Sequence, residues 1–143
     1  MTFELHPQLQ KDGIPLGNFP LCRLLLMNDA NYPWFILVPQ RENLREIHEL
    51  NESDLFLLMH ESVLLSRVLS IAFKPDKLNI AALGNVVPQL HLHHIVRYEN
   101  DPAWPAPVWG KVPAQPYSAE RLTELRAMML EILSGTLFEP AST

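Results

Sequence analysis

The chain has 143 residues, a formal net charge of −5 and 48% apolar residues, the size and composition of one domain able to bury a core of its own. Its eleven lysines and arginines are scattered without a basic stripe, which excludes a protein that holds nucleic acid by neutralising phosphates. The sole cysteine, Cys22, has no partner for an internal disulfide. Within the apolar run around Leu21, Leu24 and Leu25 it is expected as a buried structural thiol, and nothing points to an oxidising compartment.

The segment Met1–Lys11 lacks the basic-then-apolar pattern of a signal peptide. No uninterrupted run approaches the roughly 18 apolar residues that span a bilayer, so a cytoplasmic protein with no membrane partner is expected. Two apolar segments follow, Leu21–Met27 and Trp34–Val38, separated by the turn-rich Asn28-Asp29-Ala30-Asn31-Tyr32-Pro33. They predict two adjacent antiparallel strands. A short helix or turn is expected over 43–50. A longer helix, capped by Asn51 or Ser53, carries Leu55, Leu58, Met59, Leu65, Leu69 and Ala72 at helical spacings and stops at Lys74-Pro75. A third strand is predicted over 78–83, a turn at Gly84-Asn85, and a fourth strand over 87–96. Residues 100–117 hold five prolines with Trp104 and Trp109, which predicts an ordered loop pinned by its aromatics. A last helix begins at Ser118 with Leu122, Leu125, Met129 and Ile132 on one face. The order predicts a single α+β domain over 1–143, with a mostly antiparallel sheet, one long helix and a C-terminal helix.

The chemistry-bearing stretch is Gln89-Leu90-His91-Leu92-His93-His94-Ile95-Val96. On a strand, side chains alternate faces. Gln89, His91 and His93 are then expected on one face, with Leu90, Leu92 and Val96 directed into the core and His94 turned away from His91. Residue chemistry alone leaves three readings of this row: solvated histidines, a metal site built on His91 and His93 that lacks an evident third ligand, and catalysis. A neutral imidazole, with a reference pKa of about 6.5, is a nitrogen nucleophile at neutral pH. Its second ring nitrogen then needs an acceptor, a backbone carbonyl or a carboxylate, to fix the tautomer.

The stretch resembles the motif of the histidine triad (HIT) family, in which three histidines alternate with apolar residues and two apolar residues follow. Gln89 stands at the first position, His91 at the second and His93 at the third. The run Leu24–Asp29, the strand Phe35-Ile36-Leu37-Val38-Pro39, the long helix and the strand leading to Gly84-Asn85 also fall in the family's order. The resemblance covers about residues 20–100. It departs at Gln89, which replaces a histidine, and at His94, which replaces an apolar residue.

The resemblance implies a nucleotide hydrolase or nucleotidyl transferase. His91 would attack the α-phosphate of a nucleoside polyphosphate, dinucleoside polyphosphates among them, or of a phosphoramidate. Gln89 would donate a hydrogen bond without carrying protons, and His93 would do both. Asn28 or Asp29 would meet ribose hydroxyls, and Gly84 and Asn85 phosphate, although all four also suit plain turns. Arg97 either attracts phosphate or is a solvated strand-end residue, and Trp34 and Phe35 either wall a base pocket or belong to the core. The protein itself requires no metal or cofactor, Mg²⁺ being expected only with the substrate. The expected partners are the nucleotide and a second copy in a homodimer. A non-catalytic nucleotide-binding or regulatory protein on the same fold and a metal-binding protein are the rival readings.

Overall fold

A computed structural model describes residues 2–142. A short helix α1 (Pro7–Asp12) leads into strand β1 (Gly13–Asn18), followed by β2 (Cys22–Met27) and β3 (Trp34–Pro39). A 3-10 turn at Ile47–Glu49 precedes the long helix α2 (Glu52–Phe73), and then come β4 (Lys77–Ala81) and β5 (Leu92–Arg97). Helix α3 (Ala119–Ile132) and the two-residue strand β6 (Glu139–Pro140) complete the order. The strands form one antiparallel sheet in the order β4-β5-β3-β2-β1-β6.

Both faces of the sheet are covered, and the period-two alternation sorts each strand between them. Leu24, Leu26, Phe35, Leu37, Leu92 and Val96 face α2 and α3, meeting Leu58, Leu65, Leu69, Leu125 and Met129. Leu25, Trp34, Ile36, Val38 and Ile95 face the opposite way, under Leu5 and Leu9 of the N-terminal segment and Ala103 and Val108 of the Pro-rich loop. The central strands are buried on both sides, so they read as continuous apolar runs rather than alternating ones.

Helix α2 starts where the Asn51 side chain accepts the Asp54 N–H at 2.8 Å. It ends where Lys74 turns left-handed (φ 48°) ahead of Pro75, the expected stop. Glu61, buried on its inner face, accepts the N–H groups of Leu21 and Cys22 at 2.8 Å each. This ties the helix to the start of β2 and satisfies backbone donors there. Cys22 is fully buried beside this carboxylate, and burial pushes its thiol well above the ordinary range. By length and composition α2 is apolar enough to cross a bilayer, contrary to the expectation drawn from uninterrupted runs. In this fold its Leu58, Leu65 and Leu69 side form part of the core.

Two predicted strands have different bounds. The third strand spans 77–81 rather than 78–83. The fourth begins at Leu92, not at 87: Pro88 has no N–H to give a ladder, and the Leu90 N–H bonds to the Leu44 carbonyl instead. The chain also adds α1, β1 and β6. Gly17 admits β6, since a side chain there would collide with the Glu139 carbonyl and the Phe138 ring.

Candidate active site

His91 and His93 line a cavity of about 450 Å³. Its walls are Gln8, Leu9, Asp12 and Gly13 from the N-terminal segment, Met27 and Ile36 from the sheet, Leu83 to Val87 from the bend after β4, and Trp109 from the Pro-rich loop. A more open groove of about 720 Å³ lies beyond Gln89, between the N-terminal segment and residues 41–45, but contains neither imidazole. The two motif imidazoles therefore share the smaller cavity.

The hydrogen bonds fix the tautomer of each motif histidine. His91 Nδ1 lies 2.7 Å from the Gln89 carbonyl oxygen. A carbonyl only accepts, so Nδ1 carries the proton and Nε2 keeps its lone pair. This backbone carbonyl is the orienting acceptor that the sequence required. His93 Nδ1 lies 2.9 Å from the Trp34 indole Nε1. An indole only donates, so here Nδ1 holds the lone pair and Nε2 carries the proton. The two rings stand 4.8 Å apart, edge to face. The Trp109 ring makes T-shaped contacts with His93 and Trp34, its centroid 5.1 Å from that of His93 and 5.7 Å from that of Trp34.

His94 points to the other face, as expected. Its Nδ1 donates to the Leu92 carbonyl at 3.2 Å and its Nε2 accepts the Ser62 hydroxyl of α2 at 2.7 Å. Burial lowers all three imidazoles, favouring their neutral forms. His93 is lowered to about 3 by desolvation and by His91 and His94, and His94 to about 4 by desolvation. His91 is lowered by desolvation against the opposing pull of the Gln89 carbonyl, and a charge on His6 adds to the lowering.

Gln89 is not on a strand and its amide does not stand free beside His91, a correction to the expected face. Its Oε1 accepts the His6 N–H and its Nε2 donates to the Glu4 carbonyl, both at 2.9 Å. The amide thus straps the N-terminal segment against the motif. His6 in turn caps α1, its Nδ1 accepting the Gln8 N–H, with Pro7 in the first turn. This strap delivers Gln8, Leu9 and Asp12 to the cavity wall.

Of the residues expected to bind substrate, Gly84 and Asn85 line the cavity, whereas Asn28 and Asp29 do not. Asn28 Oδ1 accepts the Tyr117 N–H, and Asp29, buried, accepts the N–H groups of Asn31 and Gln115. Both hold the segment leading to α3. Arg97 is neither solvated nor in the cavity. It is 1% exposed, bonded to Asp101 at 2.8 and 3.1 Å, to Asn79 and to the Ala106 carbonyl, between the rings of Tyr32 and Trp104. Burial alone would raise Asp101. Hydrogen bonds from Arg97 and from the N–H groups of Tyr98, Ala103 and Trp104 instead bring it down to about 2. This pair anchors the loop that carries Trp109. The sequence signal for Gln8 and Asp12 was the His6-Pro7 helix start; for Trp109 it was the aromatic content of the loop.

Among the described residues no three His, Cys, Asp or Glu side chains stand together as a metal set. The tautomers also count against a metal shared by His91 and His93. The pair offers one lone pair at Nε2, and turning His93 around to supply a second would set its Nδ1–H against the indole N–H.

An antiparallel sheet with one long helix, carrying alternating imidazoles in a cleft, defines a histidine triad fold. The HIT domain family model matches residues 8–100, and the chain belongs to this family. It is similar in structure to a histidine triad protein from Marinobacter aquaeolei VT8, 50% identical over 93% of this chain and 97% of that one, with a TM-score of 0.90. One from Bradyrhizobium japonicum is 44% identical over 92% and 98%, with a TM-score of 0.90. One from Sinorhizobium meliloti 1021 is 46% identical over 92% and 97%, with a TM-score of 0.89. No curated protein matches the chain.

Proposed function

We propose that this protein is a nucleotide hydrolase or nucleotidyl transferase in which His91 Nε2 attacks the α-phosphate of a nucleoside polyphosphate or phosphoramidate. The observation that carries this reading is the 2.7 Å bond from His91 Nδ1 to the Gln89 carbonyl. It leaves Nε2 as a lone-pair nitrogen on a ring that lines a nucleotide-sized cavity. A covalent nucleotidyl-histidine then splits one displacement into two easier ones. Met27, Ile36, Leu9 and Trp109 supply apolar wall for a base, and Gly84 and Asn85 supply donors for phosphate. Gln89 contributes as the anchor of the N-terminal wall. Mg²⁺ enters with the polyphosphate. The test is turnover of a panel of nucleoside polyphosphates and phosphoramidates, with His91→Ala as control. Loss of several orders of magnitude in the variant is expected. A variant that keeps most of the activity removes His91 from the mechanism.

The same reading includes a homodimer. Phe56, Met59, Val63 and Ile71 of α2 and Ile80 of β4 are exposed, and several of them line one groove on the outer side of the helix. Strand β4 is an edge of the sheet, so its outer N–H and C=O groups lack a strand partner. A second copy related by a two-fold axis would pair β4 with β4 and cover both helix faces. Met59→Glu is expected to convert a dimer to a monomer in sedimentation; a wild-type monomer at high concentration would refute it.

A further inference from the structure

We propose that Trp34 is a positioning residue whose indole N–H fixes His93 as a neutral hydrogen-bond donor through Nε2, making the site selective for leaving groups that depart as anions. This rests on the proposed attack by His91.

The geometry is set by the sheet. Strands β3 and β5 are neighbours in which Trp34 pairs with Ile95 and Ile36 with His93, so Trp34 and His93 emerge on the same face. The indole nitrogen meets Nδ1 at 2.9 Å, and each residue is 5% exposed. Trp109 also packs against the imidazole in a T-shaped contact. An imidazolium at this place would point Nδ1–H at the indole N–H, two donors head to head in a buried site. The titratable groups acting on His93 are His91 and His94, whose charges would lower it further. Asp12 also lines the cavity, with its Oδ2 taken by the Gln8 amide at 2.8 Å.

The consequence concerns the proton. In the first step the His91 Nε2 lone pair forms an N–P bond and the bond from phosphorus to the leaving group breaks, its electron pair going with the leaving group. His93 offers its Nε2–H as a hydrogen bond and keeps the proton, because releasing it would leave an imidazolate. A phosphate or nucleotide departs as a stable anion and needs nothing more. An alkylamine must gain a proton as the P–N bond breaks, and His93 has none to give. In the second step water attacks phosphorus, the electron pair returns to His91 Nε2, and the water proton leaves to solvent. His93 is therefore a donor only, not the proton carrier that its position in the motif implied. The site is suited to nucleoside polyphosphates over alkyl phosphoramidates.

The test begins with ¹⁵N spectra of the histidine rings in the wild-type protein, which need neither a variant nor turnover. His93 is expected to show a protonated Nε2 and a hydrogen-bonded, unprotonated Nδ1, unchanged between about pH 5 and pH 8. In Trp34→Phe, which keeps an aromatic ring but lacks the N–H, the ring should interchange tautomers and titrate closer to its ordinary range. Turnover of an adenosine alkylphosphoramidate relative to a dinucleoside polyphosphate should rise about tenfold or more, general-acid assistance being worth about 10²–10⁴-fold on basic leaving groups. A wild-type His93 protonated at Nδ1, or titrating in that window, overturns the proposal. Equal kcat/KM of the wild-type protein on both substrates overturns the selectivity. If neither substrate reacts while the ring spectra are as expected, the enzymatic reading and its selectivity fail and the tautomer assignment stands.

Discussion

Asp101→Ala removes the carboxylate that balances Arg97, whose side chain is 2% exposed against 3% for Asp101. The carboxylate accepts from Arg97 Nε and Nη2 and from three backbone N–H groups. A carboxyl held at about 2 instead of 3.8 corresponds to about 2 kcal/mol favouring its ionised form. Deleting it costs more, because the guanidinium stays buried without its counter-charge, and breaking such a pair costs about 3–5 kcal/mol. The damage should also reach the cavity, since the pair anchors the loop carrying Trp109. Urea unfolding followed by tryptophan fluorescence gives the stability, and the KM for a nucleotide substrate gives the effect on the wall. A loss of at least about 3 kcal/mol and a raised KM are expected. Removing Arg97 as well should restore part of the stability, because the two losses share one interaction. A single-variant loss below about 1 kcal/mol would refute a buried, energetically coupled pair.

Other outcomes follow from the same contacts. The His91 pKa is lowered by burial, so the acid limb of kcat/KM should have its midpoint below the ordinary imidazole value of about 6.5. A limb above that value would contradict the lowering. His93 and His94 are neutral in the fold but take up protons in the unfolded chain. Stability is then full above about pH 6.5 and falls as pH drops toward their folded values of about 3 and about 4, each contributing a slope of up to about 1.4 kcal/mol per pH unit. A pH-independent stability over that range would show these rings to be solvated. Gln89→Ala should speed amide exchange at His6, whose N–H loses its acceptor, and lower turnover about ten- to a hundredfold by loosening the strap. Unchanged exchange at His6 would remove the strap from the account.

The sequence carried the parts of the fold that repeat locally. The β2–β3 hairpin follows from two apolar runs around a turn-rich segment, and α2 from its spacing, the Asn51 cap and Lys74-Pro75. Elements too short for a period gave no periodic signal: α1 has six residues and only the His6-Pro7 start to mark it, β6 has two, and β1 is broken by a register shift between Pro15 and Gly17. The alternation in Gln89–Val96 extended the predicted strand too far, because a pattern of apolar residues continues through a segment whose backbone has already left the sheet. For the site, the motif located His91, His93 and the bend at Gly84-Asn85. It did not reveal the partners that decide their chemistry. Trp34 lies 59 residues from His93, and the backbone groups held by Gln89 lie 83 and 85 residues away. Arg97 read as either phosphate-attracting or solvated, because the contacts with Asp101, Asn79, Tyr32 and Trp104 that offset its burial are tertiary.

The central claim is that His91 forms a bond to the α-phosphorus. The direct measurement is a rapid-quench single turnover with an α-phosphate-labelled dinucleoside polyphosphate, followed by peptide mapping of the labelled protein. The expected result is an acid-labile nucleotidyl adduct on His91 that forms and decays at rates consistent with kcat and is absent in His91→Ala. Tight nucleotide binding with no labelled His91 peptide at any time would contradict it, and would favour a protein that binds nucleotide without transferring it.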